Sequence, residues 1–223
     1  MDMIPDDPAY SGGGNIALMC RDLQKAVTRG ELGKRIAALV LQQHSPAEIQ
    51  RMKRNFDSRI QDISPEYRER LIKKITEHLL GTYQRIRLAE QSGTFRTMSE
   101  PLGDNDNRYW EMVRVQCQED YGGDAPTTRF LKYLLAGFCM LVLKEPGHPV
   151  GTPFPGGDSV QTDKGVYYCP VRNKANDVDA ALCPFCPALP TPEIGYLRPP
   201  MNPSEHKKQE FIEHCHRFHN FNG

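Results

Sequence analysis

The stretch "SPEYRERLIKKITEHLLGTYQRIRLAEQSG", residues 64–93, decides the fold class. Ser64-Pro65-Glu66 opens a helix, because proline at the first helical position sacrifices no hydrogen bond and arrives with a helical φ. From there Tyr67, Leu71, Ile75, Leu79, Tyr83 and Ile86 recur at helical spacing, so one face stays apolar until Gly93 stops the run. Upstream, Ser45-Pro46-Ala47-Glu48 reads as a capping box, with Glu48 reaching back from the third helical position. The helix it starts carries Ile49, Met52, Phe56, Ile60 and Ile63 as its apolar stripe. Leu32, Ile36, Leu39 and Val40 mark an earlier helix after a break at Gly30, and Ile16, Met19, Leu23 and Val27 mark the one before it.

Downstream, a helix is predicted over about residues 107–120, ahead of Gly122-Gly123. It is followed by "FLKYLLAGFCMLVL", Phe130 to Leu143. That window is 14 residues long and contains Lys132, against the roughly 20 apolar residues that span a bilayer, so it reads as a buried core helix. The fold class expected is mainly α. A helical bundle occupies residues 1–143, and a small irregular Cys-rich metal- or cluster-binding lobe with a short hairpin occupies residues 144–223.

The second half of that expectation rests on a change of composition. Twelve of the 18 prolines lie at or beyond Pro146. "EPGHPVGTPFPGG", 145–157, is a long irregular connection, and "SVQTDKGVYYC", 159–169, reads as a hairpin turning at Asp163-Lys164-Gly165 and delivering Cys169 at its end. A short helix started by Pro203-Ser204 closes the chain with "EFIEHCHRFH". "GTPFPGG" lacks the Lys-Ser/Thr of a phosphate loop, and its prolines remove amide donors, so it is read as a rigid loop docking on a partner or on the cysteine region.

Seven cysteines are present among 223 residues. Cys20, Cys117 and Cys139 fall in helical stretches, where a lone thiol is a small core hydrophobe. The others are Cys169, Cys183, Cys186 and Cys215, separated by thirteen, two and twenty-eight residues. Two intervening residues let a tight turn aim two thiolates at one centre, and four thiolates are what a tetrahedral ion or a cubane cluster requires. The proposed ligands are therefore Cys169, Cys183, Cys186 and Cys215, holding a four-iron four-sulfur cluster or, as the alternative, one zinc ion. His216 and His219, beside Cys215, are the alternative ligands. A disulfide across 183–186 is not expected in a chain with no basic, apolar leader, which is read as cytoplasmic.

Function is less constrained. Lys plus Arg equal Asp plus Glu at 28 each, so no global field draws the chain to nucleic acid or to a membrane. The four cations of "RMKRNFDSR", 51–59, read as a solvated helix face. No nucleophile elbow or metalloprotease helix is present, so no catalytic residue is named and a non-catalytic role is favoured over an enzyme.

"GTPFPGG", "YYCPVRNKANDVDAALCPFCPA" (167–188) and the ending "FHNFNG" (218–223) together resemble an uncharacterised archaeal family carried chiefly by methanogens (DUF2115, UPF0305). The likeness covers mainly residues 146–223. The resemblance implies an anaerobic cytoplasm rich in iron–sulfur proteins, which raises the cluster reading. It also implies a protein partner in a methanogen complex, with methyl-coenzyme M reductase, or its activation and electron-transfer machinery, as the kind of partner expected. The function expected is thus a metal- or iron–sulfur-binding accessory protein. A cluster-dependent oxidoreductase or electron carrier is the alternative, and a zinc-stabilised nucleic-acid binder using the 51–59 face comes last.

Overall fold

Each amphipathic segment finds a partner for its apolar stripe in the computed structural model, which describes residues 12–118, 125–154, 157–172 and 182–192. The described chain is mainly helical with a small three-stranded sheet. Six α-helices come first: α1 (Gly12–Leu23), α2 (Arg29–Gln43), α3 (Pro46–Arg59), α4 (Pro65–Ser92), α5 (Asp104–Gln118) and α6 (Pro126–Gly137). Helix α1 packs along α5, α3 along α4, and α2 lies against α4 and the end of α6.

Helix starts follow the capping chemistry. At α3 the Ser45 N–H donates to Glu48 Oε2 at 2.7 Å, closing the capping box. Burial pushes the Glu48 carboxyl up, but the Ser45 amide, His44 and Arg51 together hold it below the usual range. Helix α4 ends at Gly93 with φ +70°, the left-handed conformation that glycine adopts without strain. Of the α3 stripe, Ile49, Met52, Phe56 and Ile60 are buried, although the helix itself closes at Arg59.

Three expectations for the N-terminal half need correction. Gly30 does not break a helix; it lies in the first turn of α2, which starts at Arg29 with Thr28 accepting from the Glu31 N–H at 3.2 Å. Val27 is not on the apolar face of α1, since it lies in the connection after the helix and is 66% exposed. Helix α5 also begins earlier than residue 107, at Asp104.

Helix α6 is buried on almost every side and runs on as a π-helical turn, Phe138–Val142, before Lys144 (φ +57°) turns the chain away. Arg29 donates from Nε to the Val142 carbonyl at 2.8 Å, placing a cation on an otherwise open helix end. Among the described residues no helix is long and apolar enough to cross a membrane.

After the π-helical turn the described residues carry no further helix or strand until β1 (Gln161–Asp163) and β2 (Val166–Cys169), which pair antiparallel through Gln161↔Tyr168 and Asp163↔Val166. Lys164 and Gly165 both have positive φ, the requirement of a tight two-residue hairpin turn. The hairpin is where the alternation placed it. A third strand, β3 (Leu189–Pro190), pairs parallel with β2 and has no counterpart among the expectations. The terminal helix expected from Pro203 lies outside the described residues.

Candidate metal centre

Cys169 ends β2, and the pairing of β3 with that end brings Cys183 and Cys186, the other described members of the proposed ligand set, into its neighbourhood. Tyr168 stands opposite Leu189 and Cys169 opposite Pro190, while the Thr191 N–H donates to the Cys169 carbonyl at 3.3 Å. The chain immediately before β3 is Cys183-Pro184-Phe185-Cys186-Pro187-Ala188, so its thiols arrive beside β2. Residues Cys183–Phe185 form one 3-10 turn, closed by the Cys186 N–H on the Cys183 carbonyl at 3.0 Å. Proline in β3 is tolerated because so short an edge strand needs few amide donors.

A small apolar cluster of Phe154, Val160, Cys169, Val171 and Ala188 packs under the sheet, with Tyr167 and Cys186 against it. Phe154 comes from the loop "GTPFPGG", whose expected docking on the cysteine region is therefore present. Phe185 faces the other way, edge-on to Tyr109 of α5 with ring centroids 5.2 Å apart. Cys186 touches both the small cluster and the large helical core, so the turn lies between the two.

The thiols feel one another. Burial pushes Cys169 up to about 12, and the neighbouring Cys183 and Cys186 add to the rise while Arg172 opposes it. Burial pushes Cys183 up to about 11, with Cys186 adding and Arg172 opposing. Arg172 is held in place by donating Nε to the Ala188 carbonyl at 3.0 Å. The Gly147 N–H donates to Cys186 Sγ at 3.4 Å, the kind of bond that stabilises a thiolate bound to a metal.

All three cysteines line a cavity of about 190 Å³ between the lobe and helices α3, α4 and α6. Among the described residues, no three His, Cys, Asp or Glu side chains converge as a metal-holding group. Cys215, His216 and His219, the other proposed ligands, lie outside the described residues. Of the proposed set, then, Cys169, Cys183 and Cys186 line the same cavity.

Cys20, Cys117 and Cys139 are buried core residues, as their helical positions suggest. Cys139 has company that the sequence reading missed: Thr82 Oγ1 at 3.4 Å and His78 Nε2 at 3.8 Å from its sulfur. Burial pushes the His78 imidazole down to about 4, and pushes the Cys139 thiol up to about 11, so both are neutral near pH 7. His78 lies one residue before Leu79 on the longest helix, and an ionisable side chain at the margin of an apolar stripe was the available signal.

Residues 28–191 match the model of a family described as "Uncharacterized protein conserved in archaea (DUF2115)". Among similar proteins, a UPF0305 protein of Methanopyrus kandleri is 30% identical over 128 residues, covering 57% of this chain and 87% of the relative. A UPF0305 protein of Methanothermobacter thermautotrophicus is 46% identical over 69 residues, 31% of this chain and 43% of the relative. One from Methanocaldococcus jannaschii is 25% identical over 126 residues, 56% of this chain and 73% of the relative. No solved structure matches the chain.

Proposed function

From the premise that this chain belongs to the DUF2115 family of uncharacterised archaeal proteins, we propose that it is an accessory protein built around a cysteine-ligated centre, a four-iron four-sulfur cluster, that docks on a larger complex. The observation carrying this reading is that Cys169, Cys183 and Cys186, up to seventeen residues apart in the chain, line one cavity beside the parallel pairing of β3 with β2. Cys215 is the fourth ligand in this proposal, with His216 or His219 as its replacement.

Physical chemistry supports the gathering having a purpose. Three thiols whose charged forms repel one another, in a proline-rich lobe with a small apolar cluster of its own, are an unpromising source of stability. A bound cation or cluster removes the protons, cancels the repulsion and joins three chain segments. Arg172 and the Gly147 amide stand where they would offset the remaining negative charge. When bound, a cluster supplies one-electron chemistry or structural rigidity; the chain's residues supply the thiolates and the dry surroundings.

The partner in this reading belongs to methanogen metabolism, of the methyl-coenzyme M reductase type or its activation machinery, and works in the cytoplasm. The relatives' occurrence in methanogens supports it. Val166 and Leu189, exposed apolar residues on the small sheet, are available for such docking.

The test is metal analysis of protein purified without oxygen. About four irons with acid-labile sulfide and absorbance near 400 nm, lost on Cys183→Ser, is the expected result. One zinc per chain replaces the cluster with a structural ion. Protein with neither overturns the proposal.

A further inference from the structure

A groove of about 380 Å³ lies between helix α4 and the loop "GTPFPGG". Its helical wall is Arg70, Lys73, Lys74 and Glu77, which share one face of α4 by their three- and four-residue spacing. The facing wall includes Gly151, Asp158 and Ser159. The groove shares only Pro153 and Phe154 with the cysteine-lined cavity, and no cysteine is among its described lining residues.

Both walls are held by the fold. The Tyr67 hydroxyl of α4 donates to the Pro153 carbonyl at 2.9 Å, tying loop to helix. The loop is also bonded to itself: the Phe154 N–H donates to the Asp158 carbonyl and the Gly151 N–H to the Val160 carbonyl, both at 2.8 Å, and the Gly157 N–H to the Phe154 carbonyl at 3.2 Å. With those amides committed, an anion here is met by side chains, so the absence of a phosphate-loop motif does not bear on this groove. The cations stand on the helix instead. Lys74 is half-buried, and its Nζ lies 3.4 Å from where a Cβ on Gly151 would sit, so its ammonium reaches across to the loop. Elsewhere on α4 the arginines find carboxylates, Arg68 at 3.8 Å from Asp57 and Arg85 on Glu145 at 2.6 Å. Among the described residues Arg70, Lys73 and Lys74 make no ion pair, although Glu77 and Asp158 line the same groove.

Unpaired cations beside two carboxylates select among anions. An extended run of acids would meet Glu77 and Asp158 as well as the cations, whereas one compact dianion needs only the cations, and the carboxylates then accept from hydroxyls on the same ligand. Phe154, the aromatic residue of the described lining, is buried and packed edge-on to His148 with ring centroids 5.6 Å apart, so no ring is offered to a nucleobase. We propose that this groove binds a small phosphorylated polyol of the sugar phosphate class, its phosphate met by Lys74 and Arg70 and its hydroxyls donating to Glu77 and Asp158. The site stands on α4 and the loop and does not rest on metal binding.

The probes are ribose 5-phosphate, ribose, inorganic phosphate and adenosine 5′-monophosphate, titrated into the full-length protein by calorimetry with ligand-observed NMR as a second readout. Ribose 5-phosphate is expected to bind at least about tenfold more tightly than inorganic phosphate or ribose, and adenosine 5′-monophosphate no more tightly than ribose 5-phosphate. Lys74→Met is expected to weaken ribose 5-phosphate by about tenfold or more, with an unchanged far-ultraviolet circular dichroism spectrum. Glu77→Gln, at an exposed position, is expected to weaken ribose 5-phosphate while inorganic phosphate binds no more weakly than before. Binding of none of the probes, phosphate or ribose held as tightly as ribose 5-phosphate, a tighter grip on adenosine 5′-monophosphate, or an affinity for ribose 5-phosphate that survives either substitution overturns the proposal. Metal-free protein that still binds ribose 5-phosphate in this way sinks the metal reading and sustains this one, so the two fail separately.

Discussion

Gly30 and Gly81 are both helical glycines, and they call for opposite predictions. A Cβ at Gly30 would sit 2.0 Å from the Phe95 carbonyl oxygen and 2.8 Å from that of Met98, both backbone atoms that cannot rotate away. The Gly30 N–H also donates to the Met98 carbonyl at 2.9 Å. The residue is glycine because two backbones touch there, which sequence periodicity cannot reveal and which explains why it reads as a helix break. Gly30→Ala is expected to cost about 3 kcal/mol or more by overpacking. At Gly81 a Cβ meets nothing within 4 Å, so Gly81→Ala is expected to stabilise the protein by about 0.5–1 kcal/mol through helix propensity. Urea unfolding of the two variants checks both signs. His78 adds a pH prediction. Its ordinary value is 6.5 and burial holds it at about 4, with Glu145 opposing the shift and Arg85 and Lys74 reinforcing it; its ring also faces Cys139. Between those values the unfolded chain binds a proton that the folded one refuses. Its contribution is therefore whole above pH 6.5 and is lost as pH falls towards 4, amounting to about 1–3 kcal/mol after allowing for partial solvent contact. His78→Gln should flatten that part of the stability curve; an unchanged acid limb would refute the assignment.

Elements were legible in proportion to how local their causes are. Helix α3 is written in its own residues: the Ser45 and Glu48 cap and the stripe from Ile49 to Phe56 need no distant partner to be recognised. Its cap is also testable, since Glu48 accepts from the Ser45 amide and lies 3.3 Å from His44 Nδ1. Glu48→Ala should therefore destabilise the protein by about 1 kcal/mol, whereas an effect no larger than that of an exposed α3 substitution such as Arg54→Ala would deny the cap any role. The hairpin β1–β2 was legible for the same reason, its turn lying at Lys164-Gly165 between its own strands. Strand β3 was not. It is two residues long, one of them proline, and owes its conformation entirely to β2, about twenty residues earlier in the chain. The candidate site shares this split. The four-cysteine grouping came from spacing, but the β3–β2 pairing, beside which Cys169, Cys183 and Cys186 line one cavity, is a non-local contact that no pattern records. The cavity walls were missed for the converse reason: Leu71, Ile75 and Leu79 have the spacing of core residues, and only the packing reveals that they are half-buried beside a cavity.

At the scale of the whole molecule, the lobe and the helices share their packing. Phe185, one of the two residues between Cys183 and Cys186, lies edge-on to Tyr109, and Leu182, Phe185 and Cys186 all pack against the large helical core. From the other side, the Tyr67 hydroxyl of α4 donates to the Pro153 carbonyl at 2.9 Å, and Arg85 grips Glu145 through two bonds of 2.6 Å. Ordering the cysteine turn and holding α5 in place are therefore one event. Phe185→Ala is expected to cost about 2 kcal/mol, roughly half the usual penalty for a fully buried phenylalanine, because this ring is only half-buried. For a chain of this length that amounts to a fall of about 4–8 °C in Tm. The single tryptophan, Trp110, sits beside Tyr109 in the helical core, so its emission follows the helices while the reaction of Cys169 and Cys183 with a thiol reagent follows the lobe. Both signals should move together in one transition, in the native protein and in the variant. If the thiols become reactive at a temperature where Trp110 emission and helical circular dichroism are still native, the two parts unfold separately, and a centre at the cysteines could stabilise the lobe alone and not the helices whose open face lines the cavity.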